Sequence, residues 1–344
     1  MQCIQTRYSR AQAALPAAGN LGSITVRTAV AFCAAALCMA PAPRPAQAAA
    51  GVSAPRGIAQ VRAASGTAAG GSAAAHVPAA IYTDPPADPA HPARMDVLHI
   101  PSHGVEINGL LYAPSGAGPH PTLVLCHGLP GNEKNLDLAQ AVRRAGWNVV
   151  AFNYRGSWGS PGSFRFTQNP EDAEAVLQYL RKPAMAAKLG IDLSRMVLVG
   201  HSMGGWVTAL TAARDKSLLG AVLISMGDMG VEAAKPRKAV VDEMADNMES
   251  LAGVSAESMA DEAMAHSKEF RTENFAAGLV RLPLLVLTAD DGLARESDDL
   301  VQAIKAQGGT RVTTLHVATD HGWSDHRIAL ESEILRWLEG LPAR

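Results

Sequence analysis

Cysteine is scarce in this chain: four residues in 344, at positions 3, 33, 38 and 126. Aromatic side chains make up only 5%. No run of lysine or arginine stands out, and the formal net charge is −2. A chain without a basic patch lacks the electrostatic footprint of a nucleic-acid binder. Outside the first 48 residues no apolar stretch reaches the roughly 18 residues needed to span a bilayer. The scattered histidines and the cysteines lack the spacing of metal ligands, so no metal or cofactor is expected. What the chain does have is apolar residues at 48% against 18% charged, enough to exclude disorder throughout. Alanine is abundant, which favours helix.

The first segment reads as an address. Residues 28–41, TAVAFCAAALCMAP, form an apolar core preceded by Arg27, and Ala46-Gln47-Ala48 supplies small residues where a signal peptidase reads them. Residues 1–48 contain four basic and no acidic residues. They are expected to be a secretory signal rather than an uncleaved anchor, because the apolar run is too short to span. Without them the balance is 26 basic to 32 acidic residues, or −6. Cys3, Cys33 and Cys38 would leave with the signal, so the mature chain would keep only Cys126 and no internal disulfide. Residues 49–92 read as a linker. The first part is rich in Ala, Gly and Ser, and Pro85, Pro86, Pro89 and Pro92 punctuate its end.

From residue 93 to 344 the pattern alternates short apolar strands with helices. Met95–Ser102 and Val105–Pro114 are expected to form an antiparallel start around His103-Gly104. Strands are then predicted at 122–126, 148–153, 196–199, 219–225, 284–288 and 312–317. Helices are predicted at 132–145, from 170, at 203–214, 297–306 and 326–341. Such alternation argues for a mostly parallel sheet covered on both faces. Between the strands at 219–225 and 284–288 lie about 55 residues of helical pattern. A connection that long is usually functional, and the segment from about 231 to 275 is read as a helical cap. Met244, Met248, Met259 and Met264 within it serve as gap-filling packing or as an apolar ceiling.

The strand Met196–Val199 runs into Gly200-His201-Ser202-Met203-Gly204-Gly205, and an alanine-rich helix follows. A serine at a sharp strand-to-helix turn flanked by small residues is a nucleophile elbow; the plainer reading is a serine capping the helix. Two further segments stand beside it. One is His127-Gly128-Leu129-Pro130-Gly131-Asn132, after the third strand. The other is Asn153-Tyr154-Arg155-Gly156 with Trp158-Gly159 and Pro161-Gly162, after the fourth. With these segments the chain, over residues 95–344, resembles serine hydrolases of the α/β-hydrolase fold. The likeness is to the dienelactone-hydrolase-like and prolyl-oligopeptidase-like esterases and peptidases. The resemblance implies a mostly parallel eight-stranded sheet flanked by helices, with a small cap. It also implies nucleophile, acid and histidine in that chain order.

The family's histidine follows the last strand, where the chain reads Thr319-Asp320-His321-Gly322-Trp323-Ser324-Asp325-His326. His321 takes that place, and His326 opens the final helix. His127 and His201 flank oxyanion positions and would support their turns. The acid follows the preceding strand, at Asp290-Asp291. The family's spacing from Leu287 points to Asp291, with Asp290 bracing the turn, and both remain candidates. The oxyanion donors would be the backbone N–H groups of Met203 and Leu129. Pro130, having no N–H, is excluded. Arg155 is read as a brace. Trp158, Phe164 and Phe166 either line an acyl pocket or pack the cap.

The resulting expectation is an exported, periplasmic or secreted serine hydrolase that acts on a small ester through Ser202, His321 and Asp291. The alternatives are a peptidase or amidase with a peptide substrate, and a non-catalytic ligand binder on the same fold. No nucleic acid, and no stable membrane span after signal cleavage, is expected. N-terminal sequencing of exported protein is predicted to begin at Ala49. A chain that begins at Met1 contradicts the reading of residues 1–48.

Overall fold

The computed structural model describes residues 76–342, which fall within one unit, Gly70–Arg344. The leader predicted over residues 1–48, its cleavage site and most of the linker lie outside the described residues. The folded part opens with β1 (Arg94–Ser102) and β2 (Val105–Ala113), antiparallel from Arg94 opposite Ala113 to Ser102 opposite Val105. Gly104, at φ +90°, completes the tight turn between them.

Strand and helix then alternate: β3 (His120–Cys126), α1 (Leu136–Arg144), β4 (Asn148–Phe152), α2 (Gln168–Arg181), α3 (Pro183–Leu189), β5 (Ile191–His201) and α4 (Met203–Arg214). β6 (Gly220–Ile224) leads into the insertion, which holds α5 (Met229–Glu232), α6 (Arg237–Ala245), α7 (Ala256–Ala265) and α8 (Ala276–Leu279). The chain closes with β7 (Leu284–Ala289), α9 (Ala294–Ala306), β8 (Val312–Val317) and α10 (Arg327–Glu339). The eight strands form one sheet in the order β1-β2-β4-β3-β5-β6-β7-β8, antiparallel between β1 and β2 and between β2 and β4, parallel elsewhere. Among the described residues no helix is long and apolar enough to cross a membrane.

Side chains alternate across a strand, so each apolar strand feeds two cores. Leu123, Leu125, Val197 and Val199 pack with Leu138 and Val142 of α1 and Leu330 and Ile334 of α10. Val124, Cys126, Met196 and Leu198 pack on the opposite face with α2, α4 and the insertion. Cys126 is buried and free. Met244 and Met259 are also buried in that core, and Met248 and Met264 pack against it half-buried. Phe164 and Phe166 are fully buried edge to face, 5.2 Å apart, so they pack the core.

Several boundaries differ from the sequence reading. β5 starts at Ile191 because His120, on β3, pairs with Ile191 before the apolar run begins. α1 starts four residues later than 132 because Asn135 holds a left-handed backbone at φ +55°. α3 was not predicted; Pro183 at its first position and Gly190 beyond its end bound it. His326 precedes α10 but its side chain does not cap it.

The insertion is tied to α9 by a buried carboxyl cluster. Glu296 accepts a hydrogen bond from the Asp228 backbone N–H. Burial, together with the charges of Glu232 and Asp228, pushes the Glu296 carboxyl up to about 8. Glu232 is ion-paired with Lys235, and Glu243 lies 3.9 Å from the same ammonium. Folded Glu296 thus keeps its proton to about pH 8, while an unfolded glutamate releases it near pH 4. The folded state binds more protons across that window, so stability falls as pH rises through it. Glu296→Gln is predicted to flatten this fall. Thermal unfolding at pH 6 and pH 9 checks it, and equal slopes in variant and wild type would contradict the assignment.

Candidate active site

The parallel register assembles the site at one edge of the sheet. β3 lies between β4 and β5, where the direction of winding reverses, and ligands of open α/β sheets bind outside the carboxyl ends of the strands at such a point. Cys126 pairs with Gly200, so the loop after β3 meets the turn after β5. A β-carbon placed on Gly128 would sit 3.0 Å from Ser202 Cβ. On the other side, Ser202 N–H donates to the Ile224 carbonyl at 2.9 Å, and Ser225 N–H to that of Leu287 at 2.8 Å. The ends of β3, β5, β6 and β7 therefore share one level.

Ser202 holds φ +58° and ψ −127°, a conformation that side chains rarely adopt. Its side chain does not cap α4. The flanking glycines make the turn possible. A β-carbon on Gly200 would lie 1.9 Å from the Gly204 carbonyl oxygen, and one on Gly204 would lie 2.1 Å from that of Cys126. Met203 begins α4 with its N–H in the first turn, where no intrahelical acceptor exists.

His321 lies in the loop between β8 and α10, its Nδ1 2.9 Å from Asp291 Oδ2. The Asp291 side chain is almost fully buried and that of His321 is 41% exposed. Burial alone would raise the Asp291 carboxyl. Hydrogen bonds from His321, the Leu293 N–H at 3.0 Å and the Ser225 hydroxyl outweigh it and hold the group below its ordinary value. Asp290 is exposed and bonds instead to His316 Nε2 at 3.0 Å. Of the two neighbouring aspartates, then, Asp291 faces His321 and Asp290 faces away.

His201 and His127 support this arrangement. His201 Nε2 donates to the His321 carbonyl at 2.8 Å, and the two rings lie 4.7 Å apart. Burial, and then the neighbouring His321 charge, push His201 down to about 4. It therefore stays neutral. His127 is pushed down to about 4 mainly by burial; its Nδ1 donates to the Gly128 carbonyl at 2.8 Å. The Tyr154 hydroxyl donates to the His127 carbonyl at 3.2 Å. Arg155 Nε donates to buried Asp172 at 2.6 Å and its guanidinium reaches Glu171 at 2.7 Å, the geometry of a brace. Among the described residues no group of three or more His, Cys, Asp or Glu is arranged to hold a metal ion.

Two supports have no signal in the motif spacing. Ser225, buried at φ +45°, accepts from Trp323 Nε1 at 3.1 Å while its hydroxyl reaches Asp291. Trp323 is fully buried at φ +58°, two residues beyond His321. The only hint was a polar residue ending the apolar run Ala221–Ile224. Non-glycine residues in such conformations concentrate where a site is over-determined by its surroundings.

A model of the alpha/beta hydrolase family matches residues 123–333. The chain belongs to this family. It is 33% identical over 139 residues to an sn-1-specific diacylglycerol lipase of Xenopus tropicalis, covering 40% of each chain. It is 26% identical over 172 residues to the esterase EstD of Thermotoga maritima, covering 46% of this chain and 39% of that one. It spans about two-fifths of the length of these curated relatives. Its fold is also that of an acylaminoacyl peptidase from Pyrococcus horikoshii, with a TM-score of 0.57 at 17% identity over 72% of this chain and 41% of that one. The relatives it matches thus include a lipase and an esterase.

The Ser225 contact is testable in any reaction that requires neutral His321. Ser225→Ala removes a donor from the Asp291 carboxylate and leaves it more basic. A more basic carboxylate retains a protonated His321 to higher pH. The acid limb of kcat/KM against pH is therefore predicted to move upward in Ser225→Ala. An unmoved limb in a folded variant would limit Ser225 to packing.

Proposed function

We propose that the protein is a serine hydrolase that cleaves carboxylic esters through an acyl-enzyme. The observation that carries the reading is one edge of the sheet that bears strained Ser202, His321 beside His201, and buried Asp291 2.9 Å from His321. In this reading Ser202 Oγ attacks the acyl carbon as His321 takes the hydroxyl proton. The tetrahedral oxyanion is received by the N–H groups of Leu129 and Met203. His321 returns the proton to the departing alcohol, and the ester C–O bond breaks. Water, deprotonated by His321, then attacks the acyl-enzyme; the acid is released and Ser202 regains its proton. Asp291, held ionised by its hydrogen bonds, orients the imidazole and stabilises its charged form.

Ester substrates are favoured over amides by the relatives, a lipase and an esterase. The leader expected over residues 1–48 makes export part of the same proposal. A fluorophosphonate probe is expected to label wild type and not Ser202→Ala, and absence of labelling in wild type would overturn the reading. A panel of p-nitrophenyl esters beside aminoacyl-naphthylamides separates ester from amide specificity. Asp291→Asn is predicted to lower kcat by about four orders of magnitude, and Asp290→Asn by far less. The opposite ranking would transfer the role to Asp290.

A further inference from the structure

The loop after β3 carries Leu129, and its next residue is gripped from two sides. Trp158 Nε1 donates to the Pro130 carbonyl at 2.7 Å, and Ser250 Oγ of the insertion donates to the same oxygen at 3.3 Å. The two donors are themselves joined. Trp158 N–H donates to the Ser250 carbonyl at 3.0 Å, and Ser157 forms a β-bridge with Leu251. Ala252 N–H donates to the Gly156 carbonyl at 2.8 Å, and Phe164 N–H to that of Ala252 at 2.9 Å.

The indole is held in place by more than its own polar end. Lys134 Nζ stands 4.2 Å from the ring centroid and donates to Asn153 Oδ1 at 2.9 Å. Asn153 Nδ2 in turn donates to the Trp158 carbonyl at 3.3 Å. Trp158 takes a left-handed backbone at φ +48°, although it is not glycine. It is also 38% exposed, so burial of its ring does not explain the strain. What the conformation achieves is the aim of its N–H at Pro130.

We propose that Trp158 is a positioning residue for the oxyanion loop, and that the insertion shares the task through Ser250. The proposal rests on the reading of the Leu129 N–H as an oxyanion donor. The Pro130 ring locks its own φ, so fixing the Pro130 carbonyl leaves few free torsions between that anchor and Leu129. On the other side Gly128 is packed against Ser202. Leu129 is therefore suspended between two fixed points. In this role Trp158 acts through the direction of one N–H. The insertion, read from sequence as a helical cap, thereby bears on the chemical step.

The test uses the full-length chain with Trp158→Phe, which keeps the ring and removes the donor. On p-nitrophenyl butyrate, kcat is expected to fall about tenfold with KM within about twofold, because a displaced donor weakens the transition state and not substrate binding. The fluorophosphonate labelling rate should fall in proportion, while the acid limb of the pH profile stays where it is. Ser250→Ala should lower kcat about threefold with the same signature, and it decides the matter if Trp158→Phe does not fold. Wild-type kcat in a folded variant, or a raised KM with kcat unchanged, would overturn the proposal, the second by making the indole a wall of the pocket. A wild type that neither hydrolyses the ester nor takes the probe at Ser202 overturns the hydrolase reading and this one with it. Activity and labelling in wild type beside an indistinguishable Trp158→Phe overturn this one alone.

Discussion

The closest constraint in the molecule is a contact between backbones. Gly204 at the start of α4 lies against the carbonyl of Cys126 at the end of β3, and Gly200 lies against Gly204, with no room for a β-carbon at either place. This contact lets α4 descend directly behind β3 and β5. It forces Ser202 to the crest of the turn and brings the loop after β3 within touching distance of it. The register from Cys126 through Gly200 and His201 to Ile224 and Leu287 then sets the height of each later loop. The site is in this sense a property of the sheet edge, with side chains added where the strands stop.

The parts legible in the sequence were those written in local periodicity. Apolar runs of four to six residues marked the central strands, and G-x-S-x-G marked the turn because its glycines answer a steric demand. The choice of Asp291 over Asp290 came from the family's spacing after Leu287, with both left as candidates, and it is Asp291 that lies 2.9 Å from His321. What could not be read were contacts between residues distant in the chain and unremarkable in composition. Ser225 and Trp323 are 98 positions apart, and their bond depends on two left-handed residues that no pattern announces. The first half of β5 was invisible for a related reason. Asp192, Ser194 and Arg195 are polar, and only pairing with β3 makes the beginning of the segment a strand. Trp158 was legible as important but not in kind. Aromatic character suggested either a pocket wall or packing against the cap; its backbone does meet the insertion, and the polar atom on its edge makes the specific contact with Pro130.

The insertion is held to the body at several places, two of them unlike in kind. Near α9 the join is a cluster of carboxylates around Lys235, in which burial and neighbouring charges push Glu296 up to about 8. Near the loop after β3 it is a strip of backbone pairing around Leu251, with two donors on one carbonyl. The first titrates through Glu296, and the second includes Lys134 over the Trp158 ring, whose ammonium burial pushes down to about 8.

Cys126 sits beneath all of this. Burial pushes its thiol up to about 12, against the opposing influence of the Thr208 and Tyr154 hydroxyls. The thiolate is the nucleophile in alkylation, oxidation and disulfide exchange, and at neutral pH essentially none is present. In the folded body this thiol therefore offers thiol reagents almost no thiolate.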